Sequence, residues 1–274
     1  MVLFIYLFHY YQNSTALFRG KMILSKKLLL VCIFTFCSCL FAYPTNSITN
    51  SSVRIIEGNA ESDGGHKYRL HISAKATDKK PQRLIVWLHG RAKESGNKYV
   101  KPMAKDFIEK GFALMVFEKD SYLKWNQKKL LKTLDAVKNI PGLSTEKPIM
   151  LCYSLGGQTA IKMWWKDPGQ FGGLILNSAY PLNYKAYYKD KISKLGKIPK
   201  QNSVKEVPIL AIVGTEDEGK IVWEEAEKEY PKHGIDITVH YVPGKGHKFM
   251  LNETNVFKKV LNWLDKLGGK TKYK

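Results

Sequence analysis

Six strand-length apolar runs punctuate the chain: RLIVWLHG (83–90), FALMVFE (112–118), PIMLCYS (148–154), GLILNSAY (173–180), PILAIVG (208–214) and IDITVHYV (235–242). Most lack the polar alternation of a strand with one wet face, which is the pattern of strands buried on both sides. Helix-length segments lie between them, at 98–110, 124–139, 155–166, 220–232 and 253–267. Strand and helix taking turns in this way predicts an α/β fold, a mostly parallel sheet flanked by helices on both faces. Gly111 closes the first helix, Pro141 and Gly142 follow the second, and Pro168 and Gly169 follow the third. Leu130, Leu131, Leu134 and Val137 give the second helix an apolar stripe read as core packing.

The N-terminal stretch is of another kind. It has no Asp or Glu before Glu57, and Lys26 and Lys27 precede a continuous apolar block from Leu28 to Ala42. A bilayer-spanning helix needs about 20 apolar residues, whereas a secretory signal joins a basic start to a run of roughly 7 to 15 and a small residue at the cut. Residues 1–42 are therefore expected to be a signal region cleaved near Ala42, giving an exported protein, periplasmic or secreted. An uncleaved anchor and lipid attachment at Cys39 are the alternatives, and Met22 offers a second start. Residues 43–65 read as an extended lead-in, 66–267 as the folded domain, and 268–274 as a basic tail.

Three of the four cysteines, Cys32, Cys37 and Cys39, lie in the signal block, so Cys152 alone would remain and internal disulfides play no part. The formal charge of +20 loses only Arg19, Lys21, Lys26 and Lys27 with residues 1–42 (20 − 4 = +16), so the basic character belongs to the domain. That balance allows attraction to anionic substrates or peripheral association with an anionic membrane surface. Nucleic acid is the other polyanion a basic chain suggests. The lysines are dispersed, however, and no helix-turn-helix, RNP or zinc spacing occurs, so no specific nucleic-acid partner is expected. No HExxH, paired-cysteine or G-x-x-x-x-G-K pattern appears, and neither a metal nor a cofactor is expected.

Cys152-Tyr153-Ser154-Leu155-Gly156-Gly157 comes off an apolar run and opens a helical segment. A serine there is either a helix cap or a nucleophile. The segment resembles the nucleophile elbow G-x-S-x-G of the α/β-hydrolase family, with Cys152 in place of the first glycine. A serine hydroxyl needs an imidazole to take its proton and a carboxylate to fix that imidazole. The resemblance implies the chain order Ser, Asp or Glu, His. Asp217 follows PILAIVG and His247 follows IDITVHYV, so both stand after strands, as Ser154 does. Glu216 and Glu218 remain alternatives to Asp217. His89-Gly90-Arg91 ends RLIVWLHG as the family's His-Gly-x oxyanion turn does, and by the same resemblance the oxyanion donors are the amides of Leu155 and Arg91, with Ala92 as substitute, and His89 is a structural residue of that turn.

The stretch Pro181–Val207 reads as an insertion carrying Tyr184, Tyr187 and Tyr188. With Tyr180 and Trp125, these tyrosines are expected to shape the acyl or alcohol side of a pocket for a small-molecule or lipid-like acyl substrate, or simply to pack the insertion down. The resemblance implies a serine hydrolase cleaving an ester or similar acyl bond through an acyl-enzyme intermediate. A serine peptidase, a thioesterase or a catalytically silent binding module on the same sheet are the alternatives.

Overall fold

The computed structural model of the chain describes residues 52–91, 100–117, 125–181 and 205–270. The chain divides into Met1–Pro44, which lies outside the described residues, and Thr45–Lys274. The signal region, Tyr184, Tyr187, Tyr188 and Ala92 therefore fall outside the described residues. The lead-in and the tail do so in part.

Among the described residues one eight-stranded sheet forms, from β1 (Val53–Asn59), β2 (Lys67–Ser73), β3 (Gln82–Leu88), β4 (Phe112–Phe117), β5 (Leu143–Tyr153), β6 (Gly173–Asn177), β7 (Ile209–Gly214) and β8 (Ile237–Val242). Their spatial order is β1-β2-β4-β3-β5-β6-β7-β8. The first two pairs in that order, β1–β2 and β2–β4, are antiparallel and the other five are parallel. The six apolar runs are β3 to β8, and β5 begins at Leu143, earlier than its apolar core. The hairpin β1–β2 was not among those runs, and β1 lies within the expected lead-in. Its Arg54, Glu57, Lys67 and Arg69 show why: an antiparallel hairpin at the margin of a sheet can keep one wet face and carries charge there.

Helices α1 (Ala104–Glu109), α2 (Gln127–Val137), α3 (Leu155–Lys166), α4 (Lys220–Glu229) and α5 (Thr254–Lys270) cover both faces. Along β3, Leu84, Val86 and Leu88 point to one core, with Leu130 of α2, Trp164 of α3 and Trp223 of α4. Ile85 and Trp87 point to the other, with Phe107 of α1 and Val260 and Leu264 of α5. Each fully buried side chain of this kind contributes about 1.5–3 kcal/mol. The helix α5 runs to Lys270, three residues into the expected tail. Asn126 caps α2, its side-chain oxygen accepting from the Lys129 amide at 3.2 Å. Leu131 departs from the expected stripe: it is 42% exposed while Leu130 and Val137 are buried.

A close strand–helix contact lies where β5 turns into α3. A Cβ on Gly156 would overlap the Leu88 carbonyl of the neighbouring β3. Gly156→Ala is therefore expected to cost about 1–3 kcal/mol or more, read as a lower midpoint in urea unfolding. An unchanged midpoint would mean that the two strands and the helix are not held this closely.

Candidate functional site

Ser154 joins β5 to α3 with φ 49° and ψ −115°, a left-handed backbone that a non-glycine residue rarely adopts. The turn is held from both sides: the Ser154 amide donates to the Asn177 carbonyl at 3.0 Å, and the Ser154 carbonyl accepts from the Gln158 amide at 3.2 Å. Gly90, at the end of the β3 exit, lets that turn approach, since a Cβ there would lie 2.7 Å from the Tyr153 ring and 3.2 Å from Ser154 Cβ. Cys152 stands where the elbow pattern has its first glycine and is wholly buried, and burial pushes its thiol well above the ordinary value. It acts as a small packing residue.

The other two predicted residues arrive at the same rim. Ser154 Oγ lies 2.8 Å from His247 Nε2, and His247 Nδ1 lies 3.1 Å from Asp217 Oδ2. Nδ1 faces Asp217 Oδ2 and the Tyr180 hydroxyl, and that hydroxyl donates to Asp217 Oδ1 at 3.0 Å. The proton of the neutral imidazole therefore belongs on Nδ1, leaving Nε2 to accept from Ser154. The Asp217 side chain is completely buried, whereas that of His247 is 39% exposed. Glu216 and Glu218, the alternatives on the same turn, are exposed. Burial opposes ionisation of Asp217, but the hydrogen bonds from His247, the Gly219 amide and Tyr180, with attraction to His247, outweigh it and hold the carboxyl below its ordinary 3.8.

Four residues leaving β6 hold these parts together, and sequence reasoning gave three of them no role. Asn177, fully buried, accepts from the Met250 amide at 2.8 Å and donates to the Lys248 carbonyl at 3.1 Å. Ser178 donates to the same carbonyl at 2.8 Å. The backbone after His247 is thus fixed to the end of β6. The Ala179 carbonyl accepts from Trp223 Nε1 at 2.7 Å and the Tyr180 carbonyl from Gln158 Nε2 at 2.9 Å. Tyr180, expected to shape the acyl or alcohol side, borders the site cavity but points its hydroxyl at Asp217 and His247. The only sequence signal for this group is the polar run Asn-Ser at the end of an apolar strand.

Arg91 and Leu155 border, with Ser154 and His247, a cavity of ≈ 450 Å³. Leu155 is the first residue of α3, so its amide has no partner within the helix. Trp125 closes the back of the Arg91 turn: its indole N–H donates to the His89 carbonyl at 2.9 Å and its ring lies 4.8 Å from the His89 ring. His89 Nδ1 donates to the Gly90 carbonyl at 2.7 Å, and burial pushes the imidazole below its ordinary value against the opposing pull of that bond. A second cavity of ≈ 1120 Å³ adjoins the first through Arg91, Leu155 and Gln158 and runs between α2 and α3, past Trp125, Leu131 and Met163. Among the described residues no cluster of His, Cys, Asp and Glu has the makings of a metal site.

No protein-family model and no curated protein matches the chain. Solved structures do. An α/β hydrolase enzyme from a Medee basin deep-sea metagenome library is similar with a TM-score of 0.59 and 13% identity, over 79% of this chain and 98% of that one. A truncated carbohydrate esterase from gut microbiota gives 0.59 and 15% identity over 83% of this chain and 100% of its own. The apoenzyme of an S-formylglutathione hydrolase (FrmB) from Staphylococcus aureus gives 0.56 and 12% identity over 82% of this chain and 97% of its own. Identities this low speak for architecture, and with the strand order above they establish that the chain has the α/β-hydrolase fold.

The depressed native value of Asp217 has a sign that can be measured. Above the ordinary carboxylate value of 3.8 both folded and unfolded chains carry the ionised group, and its hydrogen bonds contribute in full. As the pH falls the unfolded chain takes the proton first, so the contribution fades and is gone once the pH passes below the lower native value. Urea unfolding of wild type and Asp217→Asn at pH 7, 5, 4 and 3 should show the wild type losing stability relative to the variant toward acid. A constant difference across that range would contradict the assignment.

Proposed function

We propose that the protein is a serine hydrolase that cleaves an ester or similar acyl bond, with Ser154 as nucleophile, His247 as base and then acid, and Asp217 as the residue that orients the imidazole. The observation that carries this reading is the unbroken hydrogen-bonded line from Ser154 Oγ through His247 to the buried Asp217, at 2.8 Å and 3.1 Å. A cap serine has no use for an imidazole at that distance, and here the Ser154 side chain caps nothing. Proteins of similar structure are named as a carbohydrate esterase and an S-formylglutathione hydrolase, and acyl cleavage is the class carried over.

The chemistry follows from the geometry. Ser154 Oγ attacks the acyl carbon as its proton passes to His247 Nε2, and the carbonyl oxygen becomes an oxyanion. The Arg91 and Leu155 amides donate to that oxygen, a preorganised arrangement whose loss of one donor costs about 2.7–4 kcal/mol in known cases. Collapse expels the alcohol, which takes the proton from His247, and leaves an acyl ester on Ser154. Water then attacks that ester, His247 receives the water proton, and Ser154 recovers its own as the acid departs. The Asp217 carboxylate stays ionised throughout and faces the imidazolium that forms.

The larger cavity supports a finer reading, in which one arm of the substrate lies between α2 and α3 and ends in an anion. Lys162 and Lys166 follow Leu155 on the same helix by about 10 and 16 Å of rise, and Lys128 stands on the facing wall with Arg91 at the mouth. Peripheral attraction to an anionic bilayer is a further consequence of the basic surface. Export after cleavage near Ala42 rests on the apolar block alone.

A fluorophosphonate probe is expected to label Ser154, and Ser154→Ala and His247→Ala to lower kcat on p-nitrophenyl butyrate by a factor on the order of 10⁴ to 10⁶. Full activity in Ser154→Ala would refute the mechanism. A chain that neither takes the probe nor turns over esters, thioesters or peptides would instead be a silent binding module. For the anionic arm, the mono-p-nitrophenyl ester of glutaric acid should exceed p-nitrophenyl butyrate in kcat/KM by about two- to five-fold, the worth of one exposed charge pair. That preference should vanish in Lys128→Glu/Lys162→Glu. Equal rates for the two esters would remove the anionic reading and leave the serine chemistry untouched.

A further inference from the structure

We infer that Tyr180 is a positioning residue of the reaction, acting through its hydroxyl on the Asp217–His247 pair. The inference rests on the serine-hydrolase reading above and assigns a tyrosine that sequence alone made a pocket wall.

The buried Asp217 carboxylate has two oxygens, and only one can serve the imidazole. Oδ1 accepts from the Gly219 amide at 2.9 Å and from the Tyr180 hydroxyl at 3.0 Å, and Oδ2 is left to His247 Nδ1 at 3.1 Å. Rotation about the last bond of an aspartate is broad and two-fold, so one backbone donor is a weak lock. The phenol supplies the second donor and fixes which oxygen meets the histidine. Its own oxygen also lies 3.0 Å from Nδ1, so the Nδ1–H points between two acceptors, one charged and one neutral. When the imidazole takes the serine proton and becomes cationic, both oxygens already face it.

Tyr180 is itself held as a fixed part. Its carbonyl is bound by Gln158 of α3, and the carbonyl before it by Trp223 of α4. Its ring occupies the space a Cβ on Gly219 would need, which explains why the turn after Asp217 has glycine there. The ring lies 5.5 Å from that of His247, beside the imidazole. Three elements thus determine one hydroxyl, a degree of constraint that a substrate-facing wall does not require. The other titratable and charged groups around the imidazole are Arg91 from the β3 exit, Tyr153 from β5, Glu216 and Glu218 from the Asp217 turn, and Lys248 next in the chain. None of them bonds Asp217 or Nδ1 among the described contacts, and the Asp217→Asn background separates what the Tyr180 hydroxyl does through the pair from anything else it does.

The test is Tyr180→Phe, which keeps the ring and removes only the oxygen. On a small activated ester kcat should fall by about ten- to 150-fold, the worth of a hydrogen bond to a charged group, with KM unchanged. Tyr180→Phe takes a donor from the carboxylate, which strengthens its hold on a cationic imidazole, and takes from Nδ1 the second acceptor that faces it, so the acid limb of kcat/KM should leave its wild-type position. In the Asp217→Asn background the same substitution should have little further effect, because its target is gone. Tyr180→Gln, which restores an N–H donor, should recover part of the loss. An unchanged kcat and a superimposable pH profile would overturn the inference, as would an effect confined to KM and ester chain length. Wild-type protein without turnover or Ser154 labelling would overturn the hydrolase reading and this inference with it, and so stands apart from turnover that Tyr180→Phe leaves intact.

Discussion

Asn177 is completely buried at the end of β6, and each of its polar groups is committed to a different part of the site. Its carbonyl receives the Ser154 amide, its side-chain oxygen the Met250 amide, and its side-chain N–H groups bond the Lys248 carbonyl and Ser178 Oγ. An unsatisfied buried polar group costs about 1–3 kcal/mol, so displacement of either the elbow or the histidine loop leaves several such groups without partners at once. The separation of Ser154 and His247 is therefore fixed by the same bonds that register β6 between β5 and β7. The distances fit for proton transfer are set by contacts of the folded sheet.

That dependence explains which parts of the molecule can be read from a linear text. Strands β3 to β7 announce themselves because their apolar cores are buried on both faces, and Ser154 and Asp217 follow such runs; β8, which precedes His247, is an edge strand with only Val242 buried and is legible from its β-branched and aromatic residues. β1 and β2 do not, since Glu57 and Arg69 pair on the exposed side of the hairpin and break the apolar pattern. Leu131 was read as core because its spacing matches Leu130, Leu134 and Val137, yet it faces the open groove beside Met163. Periodicity marks one side of a helix without saying how far around the core reaches.

The supporting residues are hidden for a different reason. Asn177 meets Met250 across 73 positions of chain, and Tyr180 meets Asp217 across 37. Contacts of that kind exist only after parallel strands are set side by side, so no local spacing encodes them. What distinguishes Asp217 from Glu216 and Glu218 is burial: the acidic neighbours project into solvent while Asp217 turns inward beneath Tyr180 and Gly219.

Electrostatics completes the account. A chain with a net charge of +20 offers a long-range field that favours carboxylates everywhere, but exposed charges beyond about 10 Å are screened by salt. Asp217 is inside, where burial alone would favour its neutral form. What keeps it ionised is short-range and directional: the Gly219 amide, the Tyr180 hydroxyl and the His247 N–H, all within 3.1 Å. An anion sustained this way is insensitive to the surface lysines and sensitive to any change in three donors. The basic surface and the buried carboxylate are thus two independent electrical systems, one able to influence what approaches the rim, the other governing how the imidazole behaves once something is bound.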